Sequence, residues 1–157
     1  MVFWLSTETR KYFDKIGIKG SPKEGKSETG NFESFFDVFW LCAQVGIHRE
    51  EYPPLSPDKS QITKRVSGNS KEVRLQLLGL AFYKYCKYEG VKDSKKEIIL
   101  GKMESFFDKE SEYELGKEGY DFLNRAAEGG FLHISKNIID INDRSQFLTK
   151  YKDIFKR

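Results

Sequence analysis

The sequence predicts an all-α fold, a compact bundle of about six helices with a long Pro-containing loop after the central one. Three observations predict it. Apolar residues recur at i, i+3, i+4 and i+7 in successive segments, which is the spacing of one helical face. Gly, Pro and Ser/Asn clusters separate those segments. Only residues 60–67 are open to a strand reading, and no internal repeat of fixed period is present. A chain of 157 residues is long enough for one domain, and about two thirds of its unfolded surface can be buried at this size.

Phe3, Trp4 and Leu5 form an apolar lead-in, and Ser6 or Thr7 caps a short helix running through Arg10 and Phe13 to Ile16, with Gly17 as its stop. Residues 19–30 hold almost no apolar side chain and read as a mobile surface loop. Residues 31–49, NFESFFDVFWLCAQVGIHR, form the stretch around which the chain is organised. Asn31 caps a helix with Phe32, Phe35, Phe36, Phe39, Trp40 and Ala43 on one face, while Leu41, Cys42 and Val45 add apolar groups elsewhere on its circumference. Such a helix is buried on several sides and belongs at the centre. Gly46 is read as its end.

Tyr52-Pro53-Pro54-Leu55-Ser56-Pro57 cannot be helical through its prolines. Residues 60–67 form a short strand or an ordered loop. Ser70 caps the next helix, with Val73, Leu77, Leu80, Ala81 and Lys84 on one line and Leu75, Leu78, Phe82, Tyr85 and Cys86 on another. Two apolar lines call for two packing partners, and Gly90 ends the helix. Ser94-Lys95-Lys96-Glu97 fits a capping box for a helix to Phe107 that buries Ile98, Ile99, Met103, Phe106 and Phe107. An acidic turn follows over 108–114. Tyr120, Leu123 and Ala127, with Phe122 and Ala126 beside them, make a helix that is expected to stop at Gly129-Gly130. The last helix spans 142–155, with Phe147, Leu148, Tyr151, Ile154 and Phe155 at helical spacing and Lys150, Lys152, Lys156 and Arg157 near its end, where the helix dipole favours cations.

Composition narrows function more than it identifies it. The apolar set is only 38% of residues, yet it includes 13 Phe, 8 Tyr and 2 Trp, and large rings let few residues build a core. Net charge is +3, from 27 Lys and Arg against 24 Asp and Glu, too small to announce a polyanion partner without clustering. No apolar run reaches the length of a membrane span, and a basic start followed by a long apolar region is missing at the N-terminus. A cytoplasmic protein without a membrane partner is expected. Cys42 and Cys86 sit in apolar helical patterns and read as small buried hydrophobes.

His48 and His133 lack ligand spacing, so no metal and no cofactor are expected. No phosphate loop, nucleophile elbow or His-Glu-x-x-His is present. Asp37 stands on an otherwise apolar helix, either buried, which would require a cation or N–H partners, or, the reading favoured, partly exposed and stabilised by the N-terminal dipole of the first two turns. An enzyme reading requires Asp37, His48 and His133 to converge on one substrate. Cations cluster at Lys59, Lys64, Arg65, Lys71 and Arg74, a candidate nucleic-acid patch with polar neighbours suited to phosphate. Tyr83, Tyr85 and Tyr88 interleave with Lys84 and Lys87, and their offsets favour core packing with hydroxyls at the rim over a stacking surface.

The run Phe36-Asp37-Val38-Phe39-Trp40-Leu41-Cys42-Ala43-Gln44-Val45-Gly46, followed by Arg49 and a Pro-containing loop, resembles the small helical proteins of bacterial DNA phosphorothioation (Dnd) and related anti-phage clusters. Asn124-Arg125-Ala126-Ala127-Glu128-Gly129-Gly130 is similar to the end of their later helix. The chain departs from that pattern in having only Arg49 before the acidic Glu50 and Glu51. The resemblance implies a non-catalytic accessory or adaptor subunit that binds larger protein subunits of a defence complex. Asp37, His48, Arg49, Trp4, Tyr151 and Phe155 are the partner-binding candidates. The alternative is a DNA-binding module using Lys59, Lys64, Arg65, Lys71 and Arg74.

Overall fold

The computed structural model describes residues 2–16, 35–62, 71–91, 96–111, 113–141 and 144–156, with the side chains of 71–74 and 144 outside that set. Six helices and one two-stranded ribbon follow in the order β1 (Trp4–Ser6), α1 (Thr7–Lys15), α2 (Phe35–Arg49), β2 (Lys59–Gln61), α3 (Lys71–Tyr88), α4 (Lys96–Phe106), α5 (Lys117–Asn137) and α6 (Arg144–Asp153). The all-α expectation therefore holds, with a minor strand pair added.

The axis of the bundle is the pair α2 and α5. A Cβ on Gly46 would overlap the carbonyl of Ala126, and one on Gly130 would overlap the carbonyl of Cys42. Residues advance along α2 as they recede along α5, so the two helices run antiparallel with their main chains in contact. This corrects two readings of the sequence. Gly46 does not end α2, which continues to Arg49, and Gly129-Gly130 does not end α5, which continues to Asn137. Glycine inside a helix costs roughly 1 kcal/mol relative to alanine, and here the close approach of a neighbouring backbone requires it. The real end of α2 is a turn in which Glu50 adopts φ 57° and the Glu51 amide returns to the Gly46 carbonyl at 3.0 Å.

α2 is buried around most of its circumference, as expected of the central helix: Phe36, Val38, Phe39, Cys42, Ala43, Val45, Gly46 and Ile47 are all buried. Its rings feed an aromatic cluster in which Phe3 packs on Phe39, Tyr120 and Tyr113 at centroid separations of 4.6, 4.9 and 5.1 Å. A second cluster joins Phe82 and Tyr85 of α3 to Phe106 and Phe122. A third runs from Phe13 through Phe147 to Tyr151. Three ring clusters explain how a low apolar fraction fills the interior.

Caps follow the sequence where they are described. Ser6 accepts from the Thr9 amide to start α1. Gly90, at φ 67°, closes α3, with the Gly90 and Val91 amides returning to Lys87 and Cys86, the paired bonds of a Schellman end. The proposed caps Asn31, Ser70 and Ser94, the stop at Gly17 and the loop 19–30 lie outside the described residues.

Trp4 and Leu5 of the apolar lead-in, with Ser6, become strand β1, antiparallel to β2 with Trp4 opposite Gln61 and Ser6 opposite Lys59. Buried Asn124 of α5 holds it: the Trp4 amide donates to Asn124 Oδ1 at 2.8 Å, and Asn124 Nδ2 donates to the Val2 carbonyl at 3.1 Å. The acidic turn after α4 is closed by a bridge between Phe107 and Leu115. No helix among the described residues is long and apolar enough to cross a membrane.

Candidate functional site

α3 and α4 form the least covered part of the molecule. On α3, Leu78, Ala81 and Tyr85 are buried, whereas Leu75 and Leu80 of the two apolar lines remain 44 and 46% exposed, and Tyr83 and Tyr88 60 and 46%. Core packing therefore holds for Tyr85 and not for Tyr83. α4 buries Phe106 fully and Ile99 and Phe107 in part, but Ile98, Leu100 and Met103 stay 44–47% exposed. The expectation that Ile98 and Met103 are core is thus corrected: α4 packs through a narrow edge, and its remaining apolar groups face outward. A Cβ on Gly79 or Gly101 would meet nothing within 4 Å, which marks open space on both helices.

A polar cluster ties this pair to α5. The Tyr85 hydroxyl and the Ser105 hydroxyl both donate to Glu118 Oε2, the latter at 2.8 Å, and Lys102 Nζ donates to Glu89 at 2.9 Å and to Tyr85 at 3.3 Å. Burial, and then the bond to Glu118, push the Tyr85 phenol up to about 12. The same bonds from Tyr85 and Ser105 hold the Glu118 carboxyl below its ordinary value. On the other flank, Lys84 and Lys87 reach Glu50 Oε1 at 2.5 and 2.8 Å and lower that carboxyl to about 2. Between α3 and α5 lies a cleft of about 260 Å³, lined by Tyr85, Tyr88, Glu89, Lys117, Glu118, Asp121, Phe122 and Arg125.

The residues singled out from sequence disperse over the fold. Lys59 lies in β2, half-buried, with its amine 5.9 Å from the centre of the Trp4 ring. Lys71 and Arg74 belong to the first turn of α3. Their side chains, like Lys64 and Arg65, lie outside the described residues. Trp4 is a half-buried strand residue. Tyr151 is only 7% exposed and donates to the Leu41 carbonyl at 2.9 Å and to Gln44 at 3.2 Å, so it tethers α6 to α2 from inside the core. Arg49 donates to the Ile154 carbonyl at 3.1 Å, and the His48 ring stands 5.0 Å from that of Phe155. Those three side chains close the seam between the ends of α2 and α6. Asp37 occupies the first turn of α2. His48 is eleven residues further on, which at ~1.5 Å per residue is about 16 Å along the axis. His133, on α5, faces Glu51 at 3.3 Å. Asp37, His48 and His133 therefore do not converge, and a site assembled from all three is excluded by geometry.

What the sequence reading missed is the work of the run Asn124 to Gly130, whose residues grip the rest of the chain one after another. Asn124 holds β1. Arg125 donates to the Tyr52 carbonyl at 2.8 Å, to the Pro53 carbonyl at 3.4 Å and to the Tyr88 hydroxyl at 2.9 Å, fixing the Pro-containing loop. Ala126 and Gly130 meet α2, and Gly129 leaves room for Glu51 and Pro53. The alternation of small and hydrogen-bonding residues within one helix was the available signal. No family model, curated protein or solved structure matches the chain.

Proposed function

We propose that the chain is a non-catalytic accessory or adaptor subunit that works by protein–protein binding, with the outer face of α3 and α4 as its docking surface. One observation carries this reading. Seven of the nine large apolar side chains that stay exposed among the described residues belong to these two helices. Scattered exposed hydrophobes need no explanation, but a concentration of them on one pair of helices is the composition of a binding face. Tyr83, Leu80 and Met103 are its natural anchors, since aromatic and flexible side chains dominate binding hot spots and adaptable surfaces.

The resemblance of residues 36–49 and 124–130 to the small proteins of Dnd and related anti-phage clusters supports a partner among the larger subunits of a bacterial DNA-defence complex in the cytoplasm. The alternative, direct DNA contact through Lys59, Lys64, Arg65, Lys71 and Arg74, draws no support from Lys59, whose amine sits over Trp4.

A photo-crosslinking residue at position 83, expressed in the source cell, tests the reading. The expected result is a covalent adduct with a larger defence subunit that disappears in the double variant Leu80→Lys, Met103→Lys. An adduct that survives both substitutions, or none at all, overturns it. Duplex affinity measured against salt tests the alternative, because phosphate contact must weaken steeply as salt rises.

A further inference from the structure

The cleft between α3 and α5 has features that the exposed apolar face lacks. Its floor is aromatic: Phe122 and Tyr85 are buried there with ring centroids 5.6 Å apart, and the half-exposed Tyr88 ring stands 6.3 Å from Phe122. Carboxylates outnumber cations along its walls, Glu89, Glu118 and Asp121 against Lys117 and Arg125. Two of the carboxylates already have partners: Glu89 is bonded to Lys102, and Glu118 accepts from Tyr85 and Ser105. Arg125 is turned to the Tyr52 and Pro53 carbonyls. Asp121 has Lys117 one turn before it and Arg125 one turn after it, and among the described residues it pairs with neither.

The rings already attract cations: Arg125 lies 5.3 Å from the centre of Tyr88 and Lys102 5.4 Å from that of Tyr85. The cleft volume of about 260 Å³ has room for roughly nine waters at ~30 Å³ each, enough for one long side chain. An aromatic floor beneath an unpaired carboxylate suits a flat cation, which stacks on the ring and presents two N–H groups to the acid. Arginine fits that description better than lysine, whose compact ammonium is more strongly hydrated and cannot make the paired contact.

We infer that this cleft receives an arginine side chain from a partner protein, stacked on the half-exposed Tyr88 ring and paired with Asp121. The source of the arginine rests on the binding function proposed above; the cleft's preference for a guanidinium does not.

Titrating the folded chain with N-acetyl-arginine methylamide, followed by amide resonances, tests the preference directly, with the citrulline analogue as a neutral control of the same shape. Saturable shifts are expected at residues 85–89 and 118–125 with the arginine probe alone. Asp121→Asn should weaken binding at least about fivefold, the loss of one charge-assisted contact worth ~1 kcal/mol. Asp121 is exposed, so circular dichroism should show the variant folded, and Tyr88→Leu should weaken the probe as well. Equal shifts with citrulline, shifts elsewhere in the molecule, or an affinity unchanged in Asp121→Asn overturn the inference. A chain that crosslinks to its partner through position 83 yet leaves the arginine probe unbound fails this inference alone. Probe binding without any crosslink fails only the docking face on α3 and α4.

Discussion

Gly46 of α2 and Ala126 of α5 touch through their main chains, with no space for a methyl group between them. Gly46→Ala therefore sets two effects against each other, a gain of roughly 1 kcal/mol in helix propensity and the overlap of a new Cβ with a backbone carbonyl, which cannot rotate away. Overpacking of this kind costs about 1–3 kcal/mol or more, so the variant should lose stability. At ~2–4 °C per kcal/mol for a chain of this size, its melting temperature should fall by several degrees. Gly79→Ala, where a Cβ meets nothing within 4 Å, should raise the melting temperature by about 2–4 °C. Thermal unfolding of both variants side by side checks the sign, and a stabilised Gly46→Ala would refute the close helix crossing.

Asn124 is 4% exposed and answers the Trp4 amide and the Val2 carbonyl at once. Asn124→Ala leaves both groups without their partner, at ~1–3 kcal/mol for each buried group stranded. The loss should concentrate at the N-terminal strand. Hydrogen exchange should speed up at Trp4, and at Ile62, whose amide bonds to Phe3, by more than it does in the middle of α5. Uniform acceleration across the chain would contradict the local role.

Glu50 carries the acid dependence. Its carboxyl is lowered to about 2 by its bonds to Lys84 and then Lys87, so its stabilising contribution is fully present above about 4.5 and is lost as pH falls through the folded value. Glu50 is 38% exposed, which keeps the effect small and sensitive to salt. Chemical denaturation between pH 5 and 2 should show a shallower decline for Glu50→Gln than for the parent chain, with the difference shrinking in high salt.

Glu128 works in the opposite direction. Burial raises its carboxyl above the ordinary value, against a weaker lowering by the Ser6 hydroxyl. A carboxyl raised in the folded state stabilises at low pH, and that contribution is lost as pH rises through the folded value. Glu128→Gln should be more stable than the parent at pH 7 to 8, with the gap closing toward pH 4. A gap that widens in acid would reverse the assignment.

Much of this architecture was legible along the chain, and some of it was not. Helical spacing placed α2, α3 and α6 to within a few residues and found α5 but not its end, because a buried stripe leaves its period in the sequence. Ser6 and Gly90 declared their helix ends because capping is a local matter, settled within a turn or two. Leu75, Leu80, Ile98 and Met103 carried the same apolar period as buried residues, yet they stay exposed. Periodicity shows that a helix has an apolar face and says nothing about which neighbour covers it. The dispersal of Asp37, His48 and His133 likewise followed only from the course of the chain.

The glycines divide the two kinds of information most clearly. By itself the sequence determined an aromatic-rich helical bundle, its central helix within residues 31–49, and most of its breaks. Only the tertiary structure decided that Gly46, Gly129 and Gly130 belong inside helices. A helical stop and a backbone crossing both demand glycine, and they differ solely in whether another main chain lies against it.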